Sequence, residues 1–377
     1  MDYMIEDVME SLIEKGGSDI HIQAGAPIYF RVSGKLSPQP EFGESLAPDE
    51  CQRLIFSMLN NTQRKDLEQN WELDCAYGVK GLSRFRVNVY RERGCFAACL
   101  RALSSTIPNF EKLGVPEIMR EMAMRPRGMV LVTGQTGSGK TTTLAAILDL
   151  VNRTRAEHIL TVEDPIEYVF PNIKSLFHQR QKGEDTKSFS NALKAALRED
   201  PDIILVGEMR DLETISLAIS AAETGHLVFG TLHTNSASST IDRMLDVFPP
   251  IQQPQIRAQL SLSLVSVCSQ CLAPKIGGGR RAAQEILVNT PAIANLIREG
   301  KTSQIYSSIQ MGSQVGMRTM EMALAKLVNE GQVSYEDAVS KSSKPDELDR
   351  LIDPKIKAGG KPGAPAGAGK KPMARSR

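Results

Sequence analysis

The pattern of apolar and polar positions in the first hundred residues switches between helical and strand spacing. Apolar side chains recur every three or four positions in two segments, which predicts helices at 3–15 and 48–60. Residues 83–90 alternate cleanly, with Phe85, Val87 and Val89 on one face, as in a half-buried strand. Further strand candidates are 19–22, 28–32 and 95–101. We therefore expect residues 1–103 to form a small α+β domain.

The pattern from residue 127 onward is typical of an α/β domain. Short apolar runs alternate with helical patterns, and the strand candidates are 129–133, 158–162, 202–206 and 227–232. Strands separated by helices favour a parallel sheet. From about residue 284 we find helical spacing and no strand signal, as in Met320, Leu324 and Leu327. The pattern predicts one α/β domain over 127–350 with a helical C-terminal part.

Two segments lack this regularity. Residues 104–126 contain three prolines and one short amphipathic stretch, and we interpret them as an inter-domain linker. Residues 354–377 are rich in Gly, Ala, Pro and Lys and contain no acidic side chain. This composition predicts a disordered basic tail over 351–377, because it offers too little apolar surface for a core.

Composition narrows the possible functions. The chain has 377 residues, 5% aromatic residues and a net charge of +1, which disfavours nucleic acid as its main partner. No apolar run approaches 18 residues and the N-terminus is acidic, so we expect a cytoplasmic protein with reduced cysteines. Cys268 and Cys271 have metal-ligand spacing, but no second pair lies nearby to complete a zinc site.

A phosphate-binding loop follows the first apolar run of the α/β domain. Its residues are Gly134, Gln135, Thr136, Gly137, Ser138, Gly139, Lys140 and Thr141, and Thr142 begins a predicted helix that extends to residue 155. The backbone N–H groups of such a loop bind phosphate oxygens. The Lys140 ammonium reaches the β/γ-phosphates, and the Thr141 hydroxyl is a ligand for Mg²⁺. The sequence therefore predicts a site for ATP and Mg²⁺.

Two other strand candidates end in carboxylates. Glu208 follows 202–206, and Glu163 and Asp164 follow 158–162. Ligands of parallel sheets bind at the carboxyl ends of the strands, so Glu208 is placed to hold the Mg²⁺ hydration shell. From position alone, either Glu163 or Asp164 is a candidate general base for the attacking water.

Histidines and arginines supply less specific signals. His226 and His233 stand at opposite ends of the 227–232 strand, an arrangement unsuited to one metal ion. Each is either structural or a polar contact, to the γ-phosphate or at the subunit interface. Five arginines cluster in the predicted hairpin: Arg84, Arg86, Arg91, Arg93 and Arg101. They form either a solvated edge or a set of guanidinium groups for the phosphates of a neighbouring subunit.

Taken together, five segments resemble the hexameric ATPases of type II/IV secretion, and most closely the retraction ATPases of type IV pili. They are 18–21, the phosphate loop, 162–167, 207–211 and 224–234. The resemblance implies a PAS-like N-terminal domain, a RecA-like motor domain and a homohexamer that binds ATP between these domains. It assigns the general base to Glu163, an atypical Walker B carboxylate to Glu208, a histidine box to His226 and His233, and nucleotide-facing arginines to Arg86 and Arg101.

The resemblance also implies a task and partners. Relatives that assemble pili carry a further N-terminal domain and a four-cysteine zinc insertion, neither of which is evident here, so retraction and twitching motility are expected. The partner is then a pilus platform protein at the cytoplasmic face of the inner membrane, together with other pilus ATPases. Residues 292–299 resemble a motif of retraction motors, although Ala294 stands where the family pattern has arginine.

Other functions stay open at this stage. The departure at Ala294 leaves room for an auxiliary retraction ATPase, or for a pilus assembly or type II secretion ATPase. A RecA-type nucleic-acid translocase is compatible with the motor core, because a fold does not determine function. A non-hydrolysing scaffold that needs nucleotide only to assemble is the third alternative, and Lys140, Glu163 and Glu208 argue against it.

Overall fold

A computed structural model describes residues 3–103 and 106–357. By its internal contacts the chain divides into two compact units. The first extends to Ile107 and includes the segment Asp164–Pro171, and the second contains the remainder from Pro108.

The first unit is built on a six-stranded antiparallel sheet in the order β3-β2-β1-β6-β5-β4. The strands are β1 (Gly17–Ile22), β2 (Tyr29–Val32), β3 (Lys35–Pro38), β4 (Glu72–Val79), β5 (Ser83–Glu92) and β6 (Cys95–Ala102). Its helices are α1 (Ile5–Glu14), α2 (Pro48–Ser57) and α3 (Asn61–Asn70), with a 3₁₀ turn at Pro40–Phe42.

One face of this sheet is covered by helices because its strands alternate. Phe85, Val87 and Val89 of β5 are fully buried in a cluster with Met9 and Leu12 of α1. The hairpin β5–β6, the turn at Gly94 and helices α1 and α2 agree with the sequence prediction to within a few residues. Periodicity did not reveal α3 or β4, since α3 has a single buried apolar residue, Leu67.

The second unit contains a seven-stranded sheet in the order β13-β12-β7-β11-β10-β8-β9. Six strands are parallel, and β13 pairs antiparallel with β12 at the edge. The strands are β7 (Gly128–Thr133), β8 (His158–Glu163), β9 (Leu176–Gln181), β10 (Ile203–Val206), β11 (Leu227–Leu232), β12 (Leu264–Pro274) and β13 (Arg280–Val288). All residues of β7, β10 and β11 are buried, as expected for central parallel strands.

The helices of this unit fall into two groups. Those that accompany the sheet are α4 (Phe110–Leu113), α5 (Glu117–Ala123), α6 (Lys140–Thr154), α7 (Phe189–Ala196), α8 (Leu212–Glu223), α9 (Ala237–Asp246) and α10 (Gln253–Ser263). The C-terminal group comprises α11 (Pro291–Glu299), α12 (Ile305–Met311), α13 (Met320–Asn329), α14 (Tyr335–Lys341), α15 (Pro345–Leu351) and α16 (Pro354–Lys357), with 3₁₀ turns at Thr302–Gln304 and Ser313–Val315. This architecture confirms the predicted α/β class, with an α+β N-terminal domain and a second domain built on a mostly parallel sheet with a helical C-terminal part.

The structure corrects the interpretation of residues 104–126 as a linker. In the described part of 104–126, α4 and α5 pack against α6, and Phe110, Met119 and Met122 are buried. The segment from Pro108 therefore belongs to the second unit. Prolines at 108 and 116 only delimit these short helices, and their apolar residues are too few for a periodic signal.

Two further boundaries differ from the prediction. A strand, β13, extends past residue 284, where only helices were expected, because its polar residues Gln284 and Glu285 are buried and conceal the strand pattern. The tail was predicted to begin at 351, yet Leu351 ends α15, Ile352 is buried and α16 follows. Residues 358–377 lie outside the described part of the chain. Within the described ranges, no helix has the length and apolar content needed to cross a membrane.

Candidate nucleotide-binding site

The phosphate loop joins β7 to α6 and is shaped by its glycines. Gly134, Gly137 and Gly139 all have positive φ, between 79° and 146°. A Cβ on Gly134 would lie 2.3 Å from the Gln270 carbonyl oxygen and 2.5 Å from Ser138 Oγ, so a side chain has no room there. The loop therefore holds a backbone path that glycine permits and that other residues rarely adopt.

Lys140 is the first residue of α6 and lies over the loop. Its ammonium donates hydrogen bonds to the carbonyl oxygens of Gly134, at 2.7 Å, and Gln135, at 3.2 Å. Thr141 and Thr142 follow in the first turn and are half-buried. The loop thus ends at a helix N-terminus, where backbone N–H groups and the helix dipole favour an anion.

Neighbouring strand ends bring the two predicted carboxylates together. Strands β8 and β10 pair in parallel with Val162 opposite Val206, so Glu163 and Glu208 both follow the same edge of the sheet. Gly207 makes this approach possible, because a Cβ there would lie 2.9 Å from the Val162 carbonyl oxygen and 3.2 Å from Glu163 Cα. Strand β11 lies between β10 and β7 in the sheet, and its last residue, Leu232, is opposite Thr133 of β7.

Glu163 is a buried carboxylate that is 6% exposed. Its Oε1 accepts hydrogen bonds from the Thr161 hydroxyl, at 2.7 Å, and from the Gln179 side-chain amide, at 3.2 Å. These donors hold the carboxylate in one orientation at the end of β8. Asp164, the other candidate base, belongs to the first unit.

Glu208 is 21% exposed and contacts an imidazole and a guanidinium group. His233 Nε2 lies 2.9 Å from Glu208 Oε1, and the Arg210 guanidinium contacts the same oxygen. Strand β11 also holds the backbone next to Glu208, since the Thr231 hydroxyl donates to the Gly207 carbonyl at 2.5 Å. The structure therefore joins Glu208 and His233, which the sequence placed in separate motifs.

His226 is not part of this cluster within the chain. It precedes β11 at the opposite end of the strand, and its Nδ1 lies 2.9 Å from the Ala221 carbonyl oxygen. Its own carbonyl accepts a hydrogen bond from the Gly128 N–H at the start of β7.

Arg86 and Arg101 lie opposite each other on β5 and β6 of the first unit. Arg86 is 3.7 Å from an Asp74 carboxylate oxygen, and Arg101 Nε is 2.8 Å from Asp19 Oδ1. Asp19 itself is buried. Burial raises the pKa of Asp19, but hydrogen bonds from Ser18 and Arg101 and the charge of Arg101 outweigh it, so the pKa lies below its ordinary value.

Sequence reasoning missed the contribution of β12 to this site. Gln270 of this strand reaches the loop, where its side-chain amide donates to the Ser138 carbonyl at 2.6 Å. No motif marks Gln270, because its strand lies more than a hundred residues beyond the loop. The one available signal was a glutamine within a run of apolar and serine residues.

The residues present fit ATP and Mg²⁺. The glycine-shaped loop at the start of α6 presents backbone N–H groups suited to phosphates, and Lys140 supplies a cation. The Thr141 hydroxyl and the Glu208 carboxylate are hard oxygen ligands, the kind that Mg²⁺ prefers.

Known proteins resemble this chain over most of its length. Residues 1–340 match the model of a family described as "Type II/IV secretion system protein". The chain is 50% identical to the type IV pilus retraction ATPase PilT of Pseudomonas aeruginosa over 347 residues, which cover 91% of this chain and 99% of that protein. It is also 50% identical to a twitching motility protein of Neisseria gonorrhoeae over 294 residues, 78% of this chain and 79% of the other. Among solved structures, the pilus retraction motor PilT with bound ADP matches with a TM-score of 0.87 and 50% identity, covering 93% of this chain and all of that one.

Proposed function

The chain belongs to the type II/IV secretion system protein family, and we propose that it is the ATP-hydrolysing motor of type IV pilus retraction. The observation that carries this proposal is a phosphate loop at the same edge of the sheet as the carboxylates that end β8 and follow β10, in a chain 50% identical to a pilus retraction ATPase over nearly the full length of both. The protein is an ATPase, and its output is the withdrawal of pilin subunits that produces twitching motility.

We assign the steps of hydrolysis to the residues at the edge of the sheet. The loop N–H groups and Lys140 bind and orient the β- and γ-phosphates. Glu163 accepts a proton from the attacking water, and the donors Thr161 and Gln179 aim its carboxylate. His233 and Arg210 hold Glu208 in place next to the metal position.

The Thr141 hydroxyl and, through water, the Glu208 carboxylate would hold Mg²⁺, and the ion would supply positive charge against the charge that develops on the phosphates. The His233–Glu208 contact links this position to the end of β11.

The assembly that we propose is a homohexameric ring. In it, Arg86 and Arg101 of one subunit reach the nucleotide of its neighbour, and His226 serves at subunit contacts. The ring works at the cytoplasmic face of the inner membrane against a pilus platform protein and alongside other pilus ATPases, without binding nucleic acid. We propose that the chain is the principal retraction motor. Ala294 on α11 is the position that favours the alternative, an auxiliary retraction ATPase.

A deletion strain tests the proposal. We expect excess surface pili and no twitching motility, and both return with the intact chain but not with the Lys140→Ala variant. Loss of surface pili would identify an assembly ATPase, and DNA-stimulated turnover with steep salt dependence would identify a nucleic-acid translocase.

The purified Lys140→Ala variant is expected to lose ATP turnover, because the ammonium group that binds the phosphates is gone. Turnover near that of the intact chain would contradict the proposed site.

A further inference from the structure

Gln270 lies where β12 passes the phosphate loop. Strand β12 pairs in parallel with β7 up to Ser269, which is opposite Thr133, so Gln270 comes one residue beyond the last paired position. Its backbone oxygen closes the space beside Gly134, and its side-chain Nε2 lies 3.0 Å from the position that a Cβ on Gly139 would take. One residue therefore contacts both the first and the last glycine of the loop.

The Gln270 side chain is part of a continuous buried hydrogen-bond chain. Its Nε2 donates to the Ser138 carbonyl at 2.6 Å. Its Oε1 accepts from the Thr143 hydroxyl, at 2.8 Å, and from the Gln284 amide, at 3.0 Å. Gln284 in turn accepts from Arg318, through its carbonyl at 2.8 Å and its Oε1 at 3.2 Å. Gln270 is 3% exposed and Gln284 is 1% exposed, so water does not compete for these bonds.

The donor and acceptor roles in this hydrogen-bond chain are determined by the groups at its two ends. The Arg318 guanidinium can only donate, and the Ser138 carbonyl can only accept. Gln284 must therefore turn its oxygen to Arg318 and its amide to Gln270, which leaves the Gln270 amide for Ser138. Turning either amide over would place two oxygens or two N–H groups against each other, so each side chain has one permitted orientation.

The bond to Ser138 controls a peptide of the loop. In a trans peptide the C=O and the following N–H point in opposite directions. Because Gln270 holds the Ser138 carbonyl on the β12 side, the N–H of Gly139 points away from β12. In a phosphate-binding loop that N–H is one of the groups that bind phosphate oxygens.

We propose that Gln270 is a positioning residue for the nucleotide, which sets the Gly139 N–H through the Ser138 carbonyl and is itself oriented by Gln284 and Arg318. The proposal rests on the proposed ATP site. Arg318 is tied to β13, since its backbone exchanges hydrogen bonds with Ile286 in both directions, at 2.9 and 3.1 Å, and α13 begins two residues later. The hydrogen-bond chain thus connects the start of α13 to the phosphate loop.

The test compares Gln270→Met with a matched control in the same strand. Gln270→Met keeps a similar volume but loses the donor to Ser138. Ser266→Ala, the control, also removes one buried hydrogen bond from β12, to the Leu287 carbonyl, away from the loop. The readouts are the dissociation constant of a fluorescent ADP with Mg²⁺, KM and kcat for ATP, and the unfolding temperature without nucleotide, all on the full chain.

We expect both variants to unfold at lower temperature, whereas only Gln270→Met weakens ADP binding, by about tenfold. Gln284→Met should also weaken ADP binding, but by a smaller factor, because Gln270 then keeps its donor and loses only the contact that orients it. ADP binding by Gln270→Met within twofold of the intact chain would overturn the proposal. If the intact chain itself failed to bind ADP, the proposed function would be at fault instead.

A second variant covers the case in which Gln270→Met does not fold. Gln270→Glu keeps the acceptor for Thr143 and Gln284, and its acid form restores an O–H donor to Ser138. Relative to the intact chain at each pH, its ADP binding should be weak at about pH 8 and recover at about pH 6, since burial favours the neutral acid. A deficit that is the same at both pH values would contradict a positioning role.

Discussion

At the scale of single residues, Glu163 offers the sharpest test of hydrolysis. In Glu163→Gln the amide oxygen can still accept from Thr161 and Gln179, so the fold and ADP binding should persist. ATP turnover should fall by about a hundredfold or more, because an amide cannot take a proton from water. Steady-state ATPase assays beside ADP titrations check this. If the variant lost ADP binding as well as turnover, Glu163 would instead have a structural or metal-linked role.

Asp19 gives a pH-dependent prediction for the first unit. Its folded pKa lies below the ordinary 3.8, so its stabilisation is complete above pH 3.8 and is lost as the pH falls through the folded value. Asp19→Asn should therefore lower the unfolding temperature at neutral pH, and this deficit should shrink in acid. The exposed Asp74, which pairs with Arg86, provides the control, since Asp74→Asn should change the unfolding temperature little at any pH. A deficit for Asp19→Asn that grows in acid would contradict this assignment.

At the scale of elements, the last residue of the 207–211 motif has a structural explanation. Asp211 is the N-cap of α8, where its carboxylate accepts from the Thr214 N–H at 2.9 Å and the Thr214 hydroxyl at 2.8 Å. Asp211→Ala should lower the free energy of unfolding by about 1 kcal/mol, and Asp211→Asn by less. Urea unfolding measures this, with exposed Asp246→Ala at the end of α9 as the control. ADP affinity should stay unchanged in all three variants.

Elements were predictable where burial follows a simple period. The alternation in β5 and the apolar runs of β7, β8, β10 and β11 placed these strands to within one or two residues. Strand β9 was missed because it carries mixed polar residues at the edge of the sheet, and β13 because Gln284 and Glu285 are buried through hydrogen bonds. Periodicity records apolar burial, and it cannot detect polar side chains that are buried with partners.

At the scale of the whole molecule, the proposed ring predicts sharing between subunits. Arg86→Gln should lower ATP turnover by about tenfold or more while ADP binding persists. Arg93→Gln is the matched control, because Arg93 is 91% exposed and forms an ion pair with its chain neighbour Glu92. Unchanged turnover in Arg86→Gln would leave Arg86 as part of a solvated edge.

Mixing variants tests the same point across the ring. Subunits with Arg86→Gln keep an intact phosphate loop, and subunits with Lys140→Ala keep the arginine. Random mixed rings should therefore recover about a quarter of the turnover, since one interface in four pairs an intact loop with an intact arginine. Light scattering of the mixture confirms ring assembly. No recovery in assembled rings would place Arg86 in the same subunit's site.

The residues of the proposed nucleotide site were predicted from residue types and local spacing alone. The loop 134–141 and the acids at 163 and 208 each lie next to the strand that positions them, so short-range pattern was enough. Tertiary structure alone brought His233 to Glu208. It alone brought Gln270 to Ser138, 132 positions away in the chain. Such contacts depend on which strands become neighbours in the sheet, and strand order arises from packing of the whole domain and leaves no local mark in the sequence.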